Sequence, residues 1–123
     1  MPDEAAPDNV QTDSLENSYR ELMHFIEKYP VLFPILHSTL FIQILRYLKN
    51  AKDLIMLGSV FPYIEKEDLL EILTLLEKIG LVGRFKATNK EFYYLTDLGK
   101  RFIELYDKAR LAVLRGGLKE LKV

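Results

Sequence analysis

Hydrophobic residues recur at helical spacing along most of this chain. Four stretches carry an apolar stripe of this kind and predict helices at about residues 14–29, 34–49, 65–79 and from about 98 onward. A shorter helix is predicted at about 51–57, followed by a connecting turn. Together these elements predict a mainly helical chain.

Prolines, glycines and small polar residues mark the ends of the predicted helices. Ser14 can cap the first helix, and Pro30 stops it. Pro34 suits the first turn of the second helix, because that turn leaves its N–H groups unpaired anyway. Gly80 can adopt the left-handed backbone conformation that ends the helix at 65–79. The Gly-Gly pair at 116–117 should break or fray the last helix.

One β-hairpin is predicted between the helix at 65–79 and the last helix. Residues 81–86 and 91–95 are rich in β-branched and aromatic side chains. The polar residues 87–90 between them predict a turn of four residues. The pattern therefore predicts a mainly α fold with one small β-hairpin.

The chain ends and one apolar segment carry separate predictions. Residues 1–13 are polar and acidic with two prolines, which predicts a disordered tail. One domain is expected over residues 14–115, and 116–123 form a loose basic end. Val31 to Leu45 has no formal charge but spans only 15 residues, whereas a membrane-spanning helix needs about 20. We therefore expect a buried helix there, and no membrane association.

Composition narrows the class of protein. A length of 123 residues fits one domain, and 49% hydrophobic with 28% charged residues allows both a core and solubility. The chain has no cysteine, which excludes a disulfide scaffold, a cysteine nucleophile and a zinc–thiolate site. The acidic N-terminus is unlike a secretory leader, so a cytoplasmic protein is expected.

The charge is unevenly distributed although the net charge is only −1. Residues 1–31 contain two bases and seven acids, a net charge of −5. Residues 81–123 contain ten bases and five acids, a net charge of +5. A basic end of this kind indicates a polyanionic partner better than the overall charge does.

Two strings around the predicted hairpin resemble a known family. Residues 76–82, LEKIGLV, resemble the junction between recognition helix and first wing strand in winged helix-turn-helix proteins. Residues 94–101, YLTDLGKR, resemble the helix entry after the wing in MarR-like and PadR-like regulators. Thr96 is the candidate N-cap there, and Gly99 lets the helix approach its neighbour closely.

The chain is most similar to the small archaeal Lrs-like and MarR-like transcription regulators, over about residues 35–110. This resemblance implies a winged helix-turn-helix domain with extra N-terminal and C-terminal helices. It also implies double-stranded DNA as the partner. The helices at 14–29 and from about 98 onward carry more apolar surface than one small domain needs, and related regulators dimerise through such terminal helices. A homodimer interface is therefore expected at Tyr19, Leu22, Phe25, Phe102, Leu105 and Tyr106. The alternative is that the apolar sides of these helices pack within one subunit.

The helix at 65–79 corresponds to the helix that enters the major groove in DNA-binding members. Acidic residues dominate its start, and carboxylates repel phosphates, so we expect this helix to read bases only weakly. Its acidic face makes a protein partner the alternative. Its outward-facing candidates are Glu67, Leu70 or Glu71, Thr74 and Lys78, with Glu65 and Asp68 near its start.

The wing has the opposite charge. Arg84 and Lys86 are two residues apart in a strand and therefore share one face, with Glu91 as the only acid nearby. Wings of this kind contact the DNA backbone or the minor groove, which favours arginine. The candidate contacts are Arg84, Lys86, Asn89 and Lys90 in the hairpin, with Lys100 and Arg101 at the start of the last helix.

No catalytic or metal-binding pattern is present in the sequence. His24 and Glu27 have the spacing of a metal pair but lack a third ligand nearby, so no metal and no cofactor are expected. No Ser/His/Asp set or phosphate loop occurs, and the protein is not expected to be an enzyme.

The sequence therefore predicts a dimeric, DNA-binding transcription regulator that contacts DNA mainly through its wing. The alternative is a winged-helix module that binds another protein through the acidic helix. A more distant alternative is a ligand-sensing regulator, for which the sequence offers no ligand-specific residue.

Overall fold

The computed structural model describes the backbone of residues 7–121 and the side chains of residues 17–114. The chain is mainly helical with a small antiparallel sheet, which confirms the predicted fold class. The elements in chain order are α1 (Pro7–Lys28), α2 (Leu32–Leu36), α3 (Thr39–Tyr47), β1 (Lys52–Asp53), α4 (Leu54–Val60), α5 (Lys66–Ile79), β2 (Val82–Ala87), β3 (Lys90–Leu95) and α6 (Asp97–Leu121).

The chain divides into two compact units. One unit consists of the terminal parts of the chain, up to Phe33 and from Glu104 onward. The other runs from Pro34 to Ile103 and contains the helix-turn-helix, the sheet and the start of α6. The domain boundaries expected at 14 and 115 stay predictions.

Both terminal helices are longer than predicted. α1 begins at Pro7 rather than Ser14, so the expected disordered tail is helical from residue 7; residues 1–6 lie outside the described part. Proline is favoured in a first helical turn, which explains this start. α6 continues through the glycines at 116–117 to Leu121, because a glycine costs a helix only about 1 kcal/mol.

The helix predicted at 34–49 is divided into α2 and α3. Ser38 has an extended backbone conformation between them, with φ −105° and ψ 107°. Its side-chain oxygen accepts a hydrogen bond from the Phe41 N–H at 3.2 Å, which makes it the N-cap of α3. This local cap outweighs the continuous apolar pattern.

The short helix predicted at 51–57 begins later, at Leu54, and follows a two-residue strand. β1 pairs with β3, placing Lys52 opposite Tyr93 and Asp53 opposite Phe92. The Asp53 carboxylate accepts the Met56 N–H at 2.8 Å and caps α4. A strand this short has no periodicity of its own and exists only through its pairing.

α5 and the hairpin lie where the pattern predicts them, and each strand extends one residue into the predicted turn. Gly80 ends α5 in the left-handed conformation, with φ +98°, as expected. The predicted turn at 87–90 is present, with Thr88 and Asn89 as its two central residues at φ of 50° and 63°, and the strands extend to Ala87 and Lys90 on either side. Two left-handed residues form the turn whose twist matches a hairpin, and asparagine tolerates it well.

The junction between the hairpin and α6 confirms two predictions. The Thr96 hydroxyl accepts the Gly99 N–H at 3.1 Å and donates to the Gly80 carbonyl, so Thr96 caps α6. Gly99 lies so close to the Leu81 carbonyl oxygen that a Cβ atom would overlap it. These contacts fix where α6 leaves the sheet.

Candidate nucleic-acid interface

The hairpin has two faces of different chemistry. The register places Arg84 opposite Tyr93 and Lys86 opposite Glu91, so the two bases share one face, as their spacing predicts. Tyr93 is buried on this face, and its burial, followed by the charge of Glu91, raises its pKa. The ends of both basic side chains reach solvent.

Arg84 is held by two carboxylates. Its Nε donates to Glu77 Oε2 at 3.1 Å, and its Nη1 lies 3.5 Å from Glu91 Oε1. The hydrogen bond and charge of Glu77, followed by Glu91, raise the pKa of the Arg84 guanidinium above its usual value. Arg84 is therefore partly neutralised before any partner arrives.

Lys90 also has an acidic partner. Its Nζ lies 3.7 Å from Asp53 Oδ2, and the Asp53 side chain is buried. The expectation that Glu91 is the only acid near the wing is therefore wrong, because Glu77 and Asp53 lie there as well. Neither was visible in the sequence: Glu77 is seven residues away along the chain, and Asp53 reaches the wing only through β1.

Lys86 differs from these two bases. It is exposed, and no ion pair or hydrogen bond joins its side chain to the rest of the described chain. Asn89, Lys78 and Lys100 are likewise exposed, at the tip of the hairpin, the last turn of α5 and the first turn of α6. Arg101 is exposed next to Lys100.

α5 presents the predicted outward face. Leu69, Leu73 and Leu76 are buried, so the opposite side of the helix faces outward. Leu70 is half-buried. The exposed polar side chains are Glu65, Lys66, Glu67, Asp68, Glu71, Thr74 and Lys78. The entrance of this helix is therefore acidic and accessible.

The predicted dimer residues are not equally accessible. Leu22, Phe102 and Leu105 are buried within a single copy of the chain, so their side chains offer no surface to a partner. The apolar stripes that suggested an interface include core residues. Tyr19 is exposed, and Phe25 and Tyr106 are half-buried.

The face of the hairpin opposite Arg84 carries an aromatic cluster that the sequence reading missed. The rings of Phe85 and Phe92 are stacked, with centroids 5.5 Å apart, and Tyr94 tilts against Phe85 at 5.8 Å. Gly83 leaves room for the Tyr94 ring. The alternation of residues 83, 85, 92 and 94 onto one face was a signal for this cluster.

The two residues with the spacing of a metal pair, His24 and Glu27, lie close together on α1. His24 Nδ1 lies 3.8 Å from Glu27 Oε1, and the residues described contain no group of three candidate metal ligands. Between residues 7 and 121 no helix has the length and apolarity to cross a membrane.

No protein-family model matches the sequence, and no curated protein matches it significantly. Among solved structures, the chain is similar to NadR in complex with 4-hydroxyphenylacetate, with a TM-score of 0.50 and 24% identity. The match covers 99% of this chain and 92% of that chain. The likeness confirms the predicted winged-helix fold.

Proposed function

We propose that this chain is a DNA-binding winged-helix protein, a dimeric transcription regulator that contacts DNA mainly through its basic wing. The observation that carries the proposal is Lys86, an exposed cation on the wing that lies opposite Glu91 in the register but forms no ion pair among the described residues. Arg84 and Lys90 lie in the same hairpin and exchange their carboxylate partners for phosphates on binding. We also propose that the protein is related to the archaeal Lrs-like regulators and that it is located in the cytoplasm.

The wing is favoured over α5 by charge. Glu65, Glu67 and Asp68 surround the start of α5, where a groove-reading helix meets phosphates. Carboxylates there oppose binding. Cations on β2 and at the start of α6 attract the backbone without regard to sequence, so affinity comes from the wing and base discrimination is limited.

Binding of the purified protein to a random-sequence duplex at increasing salt tests this function. We expect measurable binding at low salt and a steep loss of affinity as salt rises, because each phosphate contact releases a condensed counterion. Absence of binding even at low salt would contradict the proposal.

Removing the Glu77 carboxylate is expected to strengthen DNA binding. Glu77→Gln frees Arg84 from its stronger partner, and we expect duplex affinity to rise about threefold. The gain should disappear when Glu77→Gln is combined with Arg84→Gln, since it acts through the guanidinium. An equal gain in both backgrounds would show that Arg84 does not contact DNA.

Dimerisation is proposed through the part of the predicted set that remains accessible. Tyr19 and Phe25 on α1 and Tyr106 on α6 retain exposed or partly exposed rings. A dimer would place two wings on neighbouring half-sites, which raises the affinity for duplex DNA.

A second candidate function is protein binding, favoured by the four exposed acids at the start of α5. This function predicts no binding of the chain to duplex DNA. The salt titration separates the two functions, since only the first predicts duplex binding.

A further inference from the structure

α4 carries apolar side chains on its solvent side. Ile55 is 74% exposed, Met56 43% and Val60 44%, and Tyr63 in the following turn is 70% exposed. No residue from Leu54 to Tyr63 is charged. We call Ile55, Met56, Val60 and Tyr63 the α4 face.

The main core contacts of this segment come from other residues. Leu57 and Phe61 provide the buried side of this segment, and Phe61 also packs edge-on against Tyr47. Met56 and Val60 are four residues apart in α4 and therefore lie on the same side of the helix, and Tyr63 follows in the turn after it. Four exposed apolar side chains within nine residues, with no charged residue among them, favour an interaction site.

Exposed acidic side chains follow the α4 face along the chain. Tyr63 is two residues from Glu65, and the first two turns of α5 follow. Lys66 is the single base among them. The exposed acids are Glu65, Glu67, Asp68 and Glu71, which we call the acidic border.

We propose that the α4 face docks an amphipathic, basic segment of another protein, with its apolar residues on the α4 face and its lysine or arginine residues against the acidic border. Charge complementarity selects this occupant. A second copy docked face to face would bring the two acidic borders together, and a DNA backbone would meet carboxylates and apolar groups instead of donors. The proposal does not rest on DNA binding by the wing.

Two synthetic peptides of about 18 residues, long enough to form a helix, test the proposal. Both carry leucine along one face; the first has lysine at the other positions and the second has glutamate. We expect the lysine peptide to bind the unmodified full chain at least about tenfold more tightly than the glutamate peptide. Equal binding of both peptides, or binding of neither, would overturn the proposal.

Matched variants locate the site. Ile55→Ser with Val60→Ser should weaken lysine-peptide binding about tenfold, whereas Leu111→Ser with Leu114→Ser, also exposed and apolar, should leave it unchanged. Equal losses in both pairs would show nonspecific adhesion and overturn the proposal. Thermal melts confirm that each variant is folded.

The acidic border is tested separately. Glu67→Gln with Glu71→Gln should weaken lysine-peptide binding about fivefold at low salt, and Glu21→Gln with Glu27→Gln on α1 should not. The Ile55→Ser, Val60→Ser variant should bind duplex DNA as the unmodified chain does. This measurement distinguishes failure of the DNA-binding proposal from failure of the peptide-docking proposal. Self-association of the unmodified chain that disappears with Ile55→Ser would assign the face to a second copy and overturn the proposal.

Discussion

Replacing Gly99 with alanine is expected to lower the free energy of unfolding by about 3 kcal/mol. The added Cβ would overlap the carbonyl oxygen of Leu81, and it would also touch the Leu95 side chain at 3.0 Å. A backbone oxygen cannot rotate away as a side chain can. Leu81 is moreover held in place, because its carbonyl accepts the Thr96 N–H at 3.1 Å.

Gly58 provides the matched control for this substitution. It lies inside α4, and a Cβ atom there meets nothing within 4 Å. Gly58→Ala should therefore raise stability by about 0.5–1 kcal/mol, the usual gain from alanine in a helix. Chemical denaturation of both variants gives the comparison, and a Gly99→Ala protein as stable as the unmodified chain would refute the close approach of α6.

Neutralising the wing is expected to cost about 100-fold in affinity for duplex DNA at low salt. The variant combines Arg84→Gln, Lys86→Gln and Lys90→Gln, which removes three positive charges from one hairpin. Lys86 contributes its full charge to DNA binding, because it has no ion pair to break before it contacts a phosphate. Arg84 and Lys90 contribute less, because each loses an ion pair when it contacts a phosphate.

The control for the wing variant changes net charge by the same amount elsewhere. Arg20→Gln, Lys28→Gln and Lys108→Gln lie on α1 and α6, in the unit that holds the chain termini. This control should bind duplex DNA within about threefold of the unmodified protein. A loss as large as that of the wing variant would mean that net charge, and not the wing, determines binding.

Local signals in the sequence predicted the parts of the fold that depend on local chemistry. The apolar stripe of α5, the left-handed Gly80 and the N-cap at Thr96 each follow from neighbouring residues, and each was predicted. Ser38 is also a local cap, but the apolar residues on both sides concealed the break between α2 and α3. The turn at 87–90 was predicted, but not the left-handed conformation of Thr88, because threonine rarely adopts a positive φ.

The features that were not predicted depend on contacts between distant residues. β1 exists only because it pairs with β3, about 40 residues later. The pairing of Arg84 with Glu77 and of Lys90 with Asp53 requires the same tertiary arrangement. An apolar stripe likewise cannot distinguish core from interface, which is why Leu22, Phe102 and Leu105 were expected at a dimer surface and are buried instead.

The most direct test of wing-led DNA binding is the slope of affinity against salt concentration for the wing variant and its charge-matched control. Each phosphate contact contributes about 0.9 to the logarithmic slope. We predict that the slope of the wing variant is smaller than that of the unmodified protein by about 2–3, while the control keeps the original slope. Equal slopes for the wing variant and the unmodified protein would contradict the account, because the wing would then make no phosphate contact.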